Sequence, residues 1–230
     1  WSDDHSGYEK PAAIIIETVQ QEGGIRVFSK EFLKDLRAFC DKHDILLICD
    51  EVQIGCSRSG TFFSFERADI IPDIVCMSKS IGGYGIPFAV TLFKRELDVF
   101  NPGEHNGTFR GCQLSMVAGL AALEMTVEQD IPGQVKRKEK IVKDYLEKEV
   151  KPLLKDGMEI RGIGLSWGIE FNDGKLARAV LDRCFEKKLI IELAGSYDSV
   201  LKIMPSLVIE DELLLKGLEI VKESIKEILK

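Results

Sequence analysis

A chain of 230 residues that is 45% hydrophobic and 30% charged has the make-up of a globular protein able to bury a core. Its net charge of −7 argues against a nucleic-acid or anionic-membrane footprint. Six cysteines without a CxxC pair argue against a disulfide framework or a metal site, and imply a reduced, cytoplasmic setting. No apolar run reaches transmembrane length, and no signal peptide precedes the first strand. The chain starts on Trp1 rather than Met, directly upstream of a strand, as a piece of a longer chain would.

Residues 12–16 form a short apolar run that ends in Glu17 and predicts a strand. Ser29 is a good N-cap, Glu31 suits the first turn, and Phe32, Leu33, Leu36, Phe39 and Cys40 make one apolar stripe at helical spacing. That helix leads into Ile45-Leu46-Leu47-Ile48-Cys49, the unbroken apolar pattern of a strand buried on both faces of a parallel sheet. The arrangement is a βαβ unit with a right-handed crossover. The run ends in Asp50-Glu51. A second run, Ile74-Val75-Cys76-Met77, delivers Ser78-Lys79 to the same edge, and residues 88–93 extend the sheet.

Residues 113–128 predict a long helix rich in Ala, Leu and Met. Pro132 is placed to start another, in which Val135, Val142, Leu146 and Val150 keep one face. After Pro152 the texture changes, and residues 165–171 alternate as a half-buried strand would. A helix over 175–187, strands over 189–192 and 200–204 and a helix over 210–229 follow. The fold class is therefore α/β, with a mostly parallel sheet over residues 1–129 and a smaller α/β domain over 130–230.

Ligands of open α/β sheets sit at the carboxyl ends of the strands, which is where Asp50 and Lys79 fall. An Asp and a Lys ending two strands is the pair that pyridoxal 5'-phosphate needs. The Lys carries the aldehyde covalently, and the Asp keeps the pyridine nitrogen protonated so that the ring can draw electrons. Taken singly, an Asp there is often a turn cap and a Lys a solvated surface residue. Together, and followed by Gly82-Gly83-Tyr84-Gly85, they favour the cofactor site. Proton transfer by Lys79 asks for a pKa lowered by burial and neighbouring cations. Gly164-Leu165-Ser166-Trp167-Gly168 matches the G-x-S-x-G pattern of hydrolases, but Ser166 lies in an alternating strand and all three histidines precede it, so the match is fortuitous.

Asp50-Glu51-Val52-Gln53, Gly55 with Arg58-Ser59-Gly60, and Pro72-Asp73-Ile74-Val75 with Ser78-Lys79 resemble the class III aminotransferases, pyridoxal-phosphate enzymes of fold type I. Glu17-Thr18-Val19-Gln20, Glu22-Gly23-Gly24 and Gly103-Glu104-His105-Asn106-Gly107-Thr108-Phe109-Arg110-Gly111 are similar to the diaminobutyrate–2-oxoglutarate aminotransferase group of ectoine biosynthesis. The resemblance runs from the first residues to the last helix and implies the C-terminal portion of a family subunit. It implies that Lys79 and Asp50 are catalytic and that Val52 packs on the cofactor ring, although plain core packing explains Val52 as well. Gln53 would bond the ring hydroxyl. Thr108 would reach the phosphate of a neighbouring subunit, implying a homodimer or a higher even oligomer with shared active sites; a Thr-capped turn is the alternative. Cys112-Gln113 depart from the family's usual Asn after Gly111.

Glu22 corresponds to the family's switch carboxylate, which in many members pairs with an Arg in Arg-x-x-Pro-Pro-Leu. This chain has Lys202-Ile203-Met204-Pro205-Ser206-Leu207 instead, as the diaminobutyrate group does. Lys makes no bidentate fork with a carboxylate, so the gate differs here; from residue type alone Lys202 reads as a surface residue. The implied reaction converts glutamate and aspartate 4-semialdehyde into 2-oxoglutarate and 2,4-diaminobutyrate, with small amino and oxo acids as partners. The alternatives are another ω-aminotransferase of ornithine or 4-aminobutyrate type, or a truncated chain acting only as a structural partner.

Overall fold

The computed structural model describes residues 5–83 and 85–230; Trp1 and Tyr84 lie outside the described residues. The chain divides into two compact units. The first comprises Trp1–Thr18, Phe28–Gln53 and Phe65–Ala122, and the second comprises Val19–Val27, Ile54–Ser64 and Leu123–Lys230.

The first unit is built on a four-stranded sheet. Strand β1 (Ala13–Ile16) leads, past a two-residue strand β2 (Val19–Gln20) and a two-residue strand β3 (Arg26–Val27) of the second unit, to helix α1 (Lys30–His43). The Ser29 side chain accepts from Phe32 N at 3.0 Å, and Glu31 lies in the first turn, as the sequence predicts. Asp44, with φ 51°, ends the helix by a left-handed cap. Strand β4 (Leu46–Asp50) then pairs parallel with β1, completing the expected β-α-β unit, and β5 (Ile74–Met77) pairs parallel with β4. Strand β6 (Val90–Phe93) closes the sheet antiparallel to β5, giving the order β1-β4-β5-β6.

The expectation that β4 is buried on both faces is met only in part. Leu47 and Cys49 are buried, whereas Leu46, Ile48 and Asp50 are half-buried. Helix α1 packs against β4, and this covers one face of the pleat.

Asp73, just before β5, fastens this unit. Its carboxylate accepts from Leu47 N at 2.7 Å, pairs with the Arg37 guanidinium at 2.7 Å and meets Lys94 Nζ at 2.6 Å. Three elements thus converge on one buried carboxylate. Burial alone would raise its pKa; the Leu47 amide, Lys94 and Arg37 overcome that and hold it at about 2.

Helix α2 (Gln113–Glu128) begins in the first unit, where Ser115 Oγ donates to Pro87 O at 2.8 Å. Gly119 in α2 lies so close to Phe88 that an added Cβ would come within 2.7 Å of its ring. Much of the helix is nevertheless apolar and exposed, including Leu114, Val117, Leu120 and Val127.

The second unit carries an antiparallel sheet of order β7-β8-β10-β9. It is formed by β7 (Glu159–Ile163), β8 (Ser166–Glu170), β9 (Glu192–Ala194) and β10 (Val200–Ile203). Helices α3 (Ile131–Tyr145), α4 (Gly174–Glu186) and α5 (Asp211–Ile228) supply its core. The expected α3 face is fully realised: Val135 and Val142, with Leu146 and Val150 in the π turn that continues α3, are all 0% exposed.

Strand β8 departs from the half-buried expectation, for all five of its residues are buried. Trp167 and Ile169 face the helical core. The other face is covered by the turn after β2. Ser166 Oγ lies 2.8 Å from Gln21 Oε1, and a Cβ at Gly168 would meet Ile25 at 3.0 Å. Ser166 is therefore a structural hydroxyl inside a strand, consistent with rejecting the hydrolase pattern. The strand expected over 189–192 begins instead at Glu192, and β7 was not anticipated.

Candidate active site

Asp50 is the last residue of β4 and stands opposite Cys76 in the parallel ladder with β5. Its Oδ1 accepts from Val52 N at 2.9 Å, so the turn after the strand fixes the carboxylate's direction. Glu51 N donates to Cys76 O at 2.8 Å, which keeps the two strand ends together. Burial, and secondarily the Asp50 charge, push the Cys76 thiol up. Val52 and Gln53 are half-buried in the turn.

Lys79 follows β5 and opens a short 3₁₀ turn (Lys79–Gly82). Its backbone is left-handed, with φ 53°, a conformation that costs an L-residue about 1–2 kcal/mol. Such strain is retained where the fold needs a side chain aimed in one particular way. The side chain is exposed, so the burial that proton transfer asks of this lysine is not supplied by the described residues of this chain. Asp50 and Lys79 thus leave adjacent parallel strands at the same edge, Lys79 three positions beyond the Asp50–Cys76 rung.

Thr108 is exposed in a turn closed by Arg110 N donating to Gly107 O at 3.0 Å. Cys112, which follows that loop, is exposed too.

Glu22 and Lys202 come together in the second unit. Lys202, on β10, is 4% exposed rather than a surface residue, and its Nζ lies 2.7 Å from Glu22 Oε1. A third residue, which sequence reasoning missed, joins them: Glu192 Oε2 is 3.0 Å from the same ammonium. Burial would lower the Lys202 pKa, but the hydrogen bonds to Glu22 and Glu192 outweigh it and raise it. Lys cannot fork onto one carboxylate, and here it bridges two.

The backbone beneath Glu22 is held firmly. Gly195 N donates to Glu22 O at 2.8 Å, and Arg161 Nε donates to Gly24 O at 2.8 Å. Gly24 has φ +100°, and a Cβ there would meet Val200, Arg161 and Gly195 at 3.1–3.2 Å. Ile25 is buried at φ 55°, an outlier for a β-branched residue. Arg161 also pairs with Glu170 at 3.0 Å. Nearby, the buried Arg58 donates to Leu165 O at 3.0 Å and Pro205 O at 2.9 Å, pinning the segment that follows β10. Burial pulls its pKa down to about 10. The result is a well-held backbone carrying a Glu22 side chain that is 67% exposed and reaches Lys202 from the solvent side.

An α/β sheet with Asp and Lys at adjacent strand ends, followed by an antiparallel α/β unit, is the architecture of the fold-type-I aminotransferases. The ornithine aminotransferase from Toxoplasma gondii, whose structure shows partial occupancy of PLP at its active site, superposes with a TM-score of 0.88 at 27% identity over 94% of this chain and 51% of that one. Residues 5–225 match the aminotransferase class-III family model, and the chain belongs to that family. It is 48% identical over 228 residues to the diaminobutyrate–2-oxoglutarate transaminase of Wolinella succinogenes. It is 45% identical over 229 residues to the one from Bordetella parapertussis. Each alignment covers 99% of this chain and 53% of the relative, so the chain spans about half the length of these curated relatives.

Proposed function

We propose that the chain forms part of a pyridoxal-phosphate-dependent aminotransferase that moves an amino group from glutamate to aspartate 4-semialdehyde, giving 2-oxoglutarate and 2,4-diaminobutyrate. The observation that carries the reading is Asp50 and Lys79 ending adjacent parallel strands at one sheet edge. The substrate assignment is supported by the diaminobutyrate–2-oxoglutarate transaminases at 45–48% identity and by a lysine, not an arginine, opposite Glu22.

The residues fit the cofactor chemically: a carboxylate for a ring nitrogen, a primary amine for an aldehyde, and a hydroxyl beside glycine for a phosphate. When bound, pyridoxal phosphate supplies an electron-withdrawing ring that stabilises negative charge at the substrate Cα. Asp50 would hold the proton on the ring nitrogen. Lys79 would carry the aldehyde and then move the proton at Cα. Val52 would lie against the ring, Gln53 would bond its hydroxyl, and Thr108 would bind the phosphate of a second subunit. Glu22 and Lys202 would handle the substrate's distal end. A homodimer is supported by the apolar side chains that α2 exposes. A cytoplasmic location is supported by six free cysteines.

The test is a substrate comparison on the holoenzyme. Glutamate with aspartate 4-semialdehyde should give a higher kcat/KM than 4-aminobutyrate or ornithine as donor with 2-oxoglutarate. A preference for ornithine or 4-aminobutyrate would move the chain to another branch of the family. Asp50→Ala should slow the glutamate half-reaction by on the order of 10²-fold, the scale for losing one preorganised charge at a reacting group. Stopped-flow single turnovers measure this, and a near-normal rate would mean that another group protonates the ring.

A further inference from the structure

Glu192 belongs to none of the motifs that define the site. It starts β9, and the antiparallel register places it directly opposite Lys202 on β10. Opposite charges facing each other across strands attract, and here the contact is closed at 3.0 Å. From the other side Glu22 reaches the same ammonium at 2.7 Å. The exposures are unequal: Lys202 is 4% exposed, while Glu22 and Glu192 are 67% and 70% exposed. The cation is therefore fixed by the sheet, and both of its counter-ions sit where they can turn into water.

Charge bookkeeping sets the consequence. With both carboxylates in place, the cluster of Glu22, Glu192 and Lys202 sums to −1. When Glu22 turns away, Lys202 and Glu192 sum to zero rather than leaving a bare cation. We propose that Glu192 is a specificity-determining residue: a second counter-ion that keeps Lys202 neutralised when Glu22 withdraws, so that an incoming substrate carboxylate must compete for Lys202. This rests on the reading that Glu22 and Lys202 handle the substrate's distal end. The device moderates the grip on a dicarboxylate. A cation without its second partner would hold glutamate and 2-oxoglutarate more tightly and discriminate further against a substrate whose distal group is an uncharged aldehyde.

The experiment measures binding of glutarate, an unreactive dicarboxylate, to the holoenzyme by isothermal titration calorimetry. Wild type is compared with E22Q, E192Q, the E22Q/E192Q double variant and K202M, with melting curves recorded for each. K202M should weaken glutarate binding. E192Q should tighten it by roughly threefold to fivefold, the scale of one partly exposed ion pair. The double variant should tighten it by more than the product of the single effects, because either carboxylate alone still neutralises the ammonium. If K202M weakens glutarate but E192Q matches its parent in both the wild-type and E22Q backgrounds, the role given to Glu192 is overturned and the site reading stands. If K202M leaves glutarate binding unchanged, the reading of the site fails, and the proposal fails with it.

Discussion

Replacing Lys79 with Gly should reduce transamination by at least about 10³-fold while leaving the fold intact. The amine is assigned two tasks, holding the cofactor aldehyde and carrying the Cα proton. Positioned acid–base groups alone are worth about 10²–10⁴-fold. Glycine is the informative substitute, because the Lys79 backbone sits at φ 53°, which glycine adopts without strain. The variant should therefore melt no lower than wild type, and a lost rate cannot be ascribed to unfolding. Borohydride treatment of the wild-type holoenzyme followed by peptide mapping should leave the pyridoxyl label on Lys79. A label on any other lysine, or a rate within tenfold of wild type in Lys79→Gly, would remove the assignment.

Asp73→Ala should have the largest effect on stability, about 3–5 kcal/mol, the usual cost of removing one partner from a buried ion pair. The substitution leaves the Leu47 amide and Nη1 of Arg37, a residue 12% exposed, without their acceptor, so that Arg37 keeps only the Asp41 carboxylate at 2.7 Å, whereas Lys94 is 41% exposed and can turn to solvent. The pH dependence follows from the same contacts. Because the folded-state carboxyl is held at about 2, below its ordinary value, its contribution is fully present above about pH 4 and is lost as pH falls through 2. The amount is about 2 kcal/mol. Denaturant titrations between pH 7 and pH 2 should show this loss in wild type and not in Asp73→Ala. Equal pH slopes in the two proteins would mean the carboxyl is not paired in solution.

The parallel layer was readable because each of its signals is local. Ser29 caps α1 within three residues, β4 ends in Asp50 itself, and β5 ends two residues before Lys79. The buried face of α3 follows from helical spacing alone. What escaped depends on distant partners. Residues 165–171 do alternate, but the polar side of β8 is covered by Gln21 and Ile25, more than 140 positions earlier. Residues 189–191 look like a strand, yet Lys188, with φ 71°, ends α4, and Leu189 and Ile191 pack on the helical core before pairing begins at Glu192. That displacement hid the Glu192–Lys202 contact, since only the true register sets them opposite each other. The burial of Lys202 is hidden for a similar reason: residue type favours the surface, and two distant carboxylates make the burial tolerable.

Cys112 offers a chemical handle on the Thr108 loop. Of the six thiols, Cys40, Cys49, Cys56 and Cys184 are buried and Cys76 is half-buried. Burial also drives the Cys49 thiol up to about 12, far from the reactive thiolate form. Cys112 is exposed, and its hydrogen bonds with Ser115 hold its pKa below the ordinary thiol value. A maleimide dye offered to the folded protein will therefore choose Cys112 without any cysteine having to be engineered away. The fluorophore then sits four residues from Thr108, where its emission reports whatever closes over that loop, whether a phosphate or a second subunit.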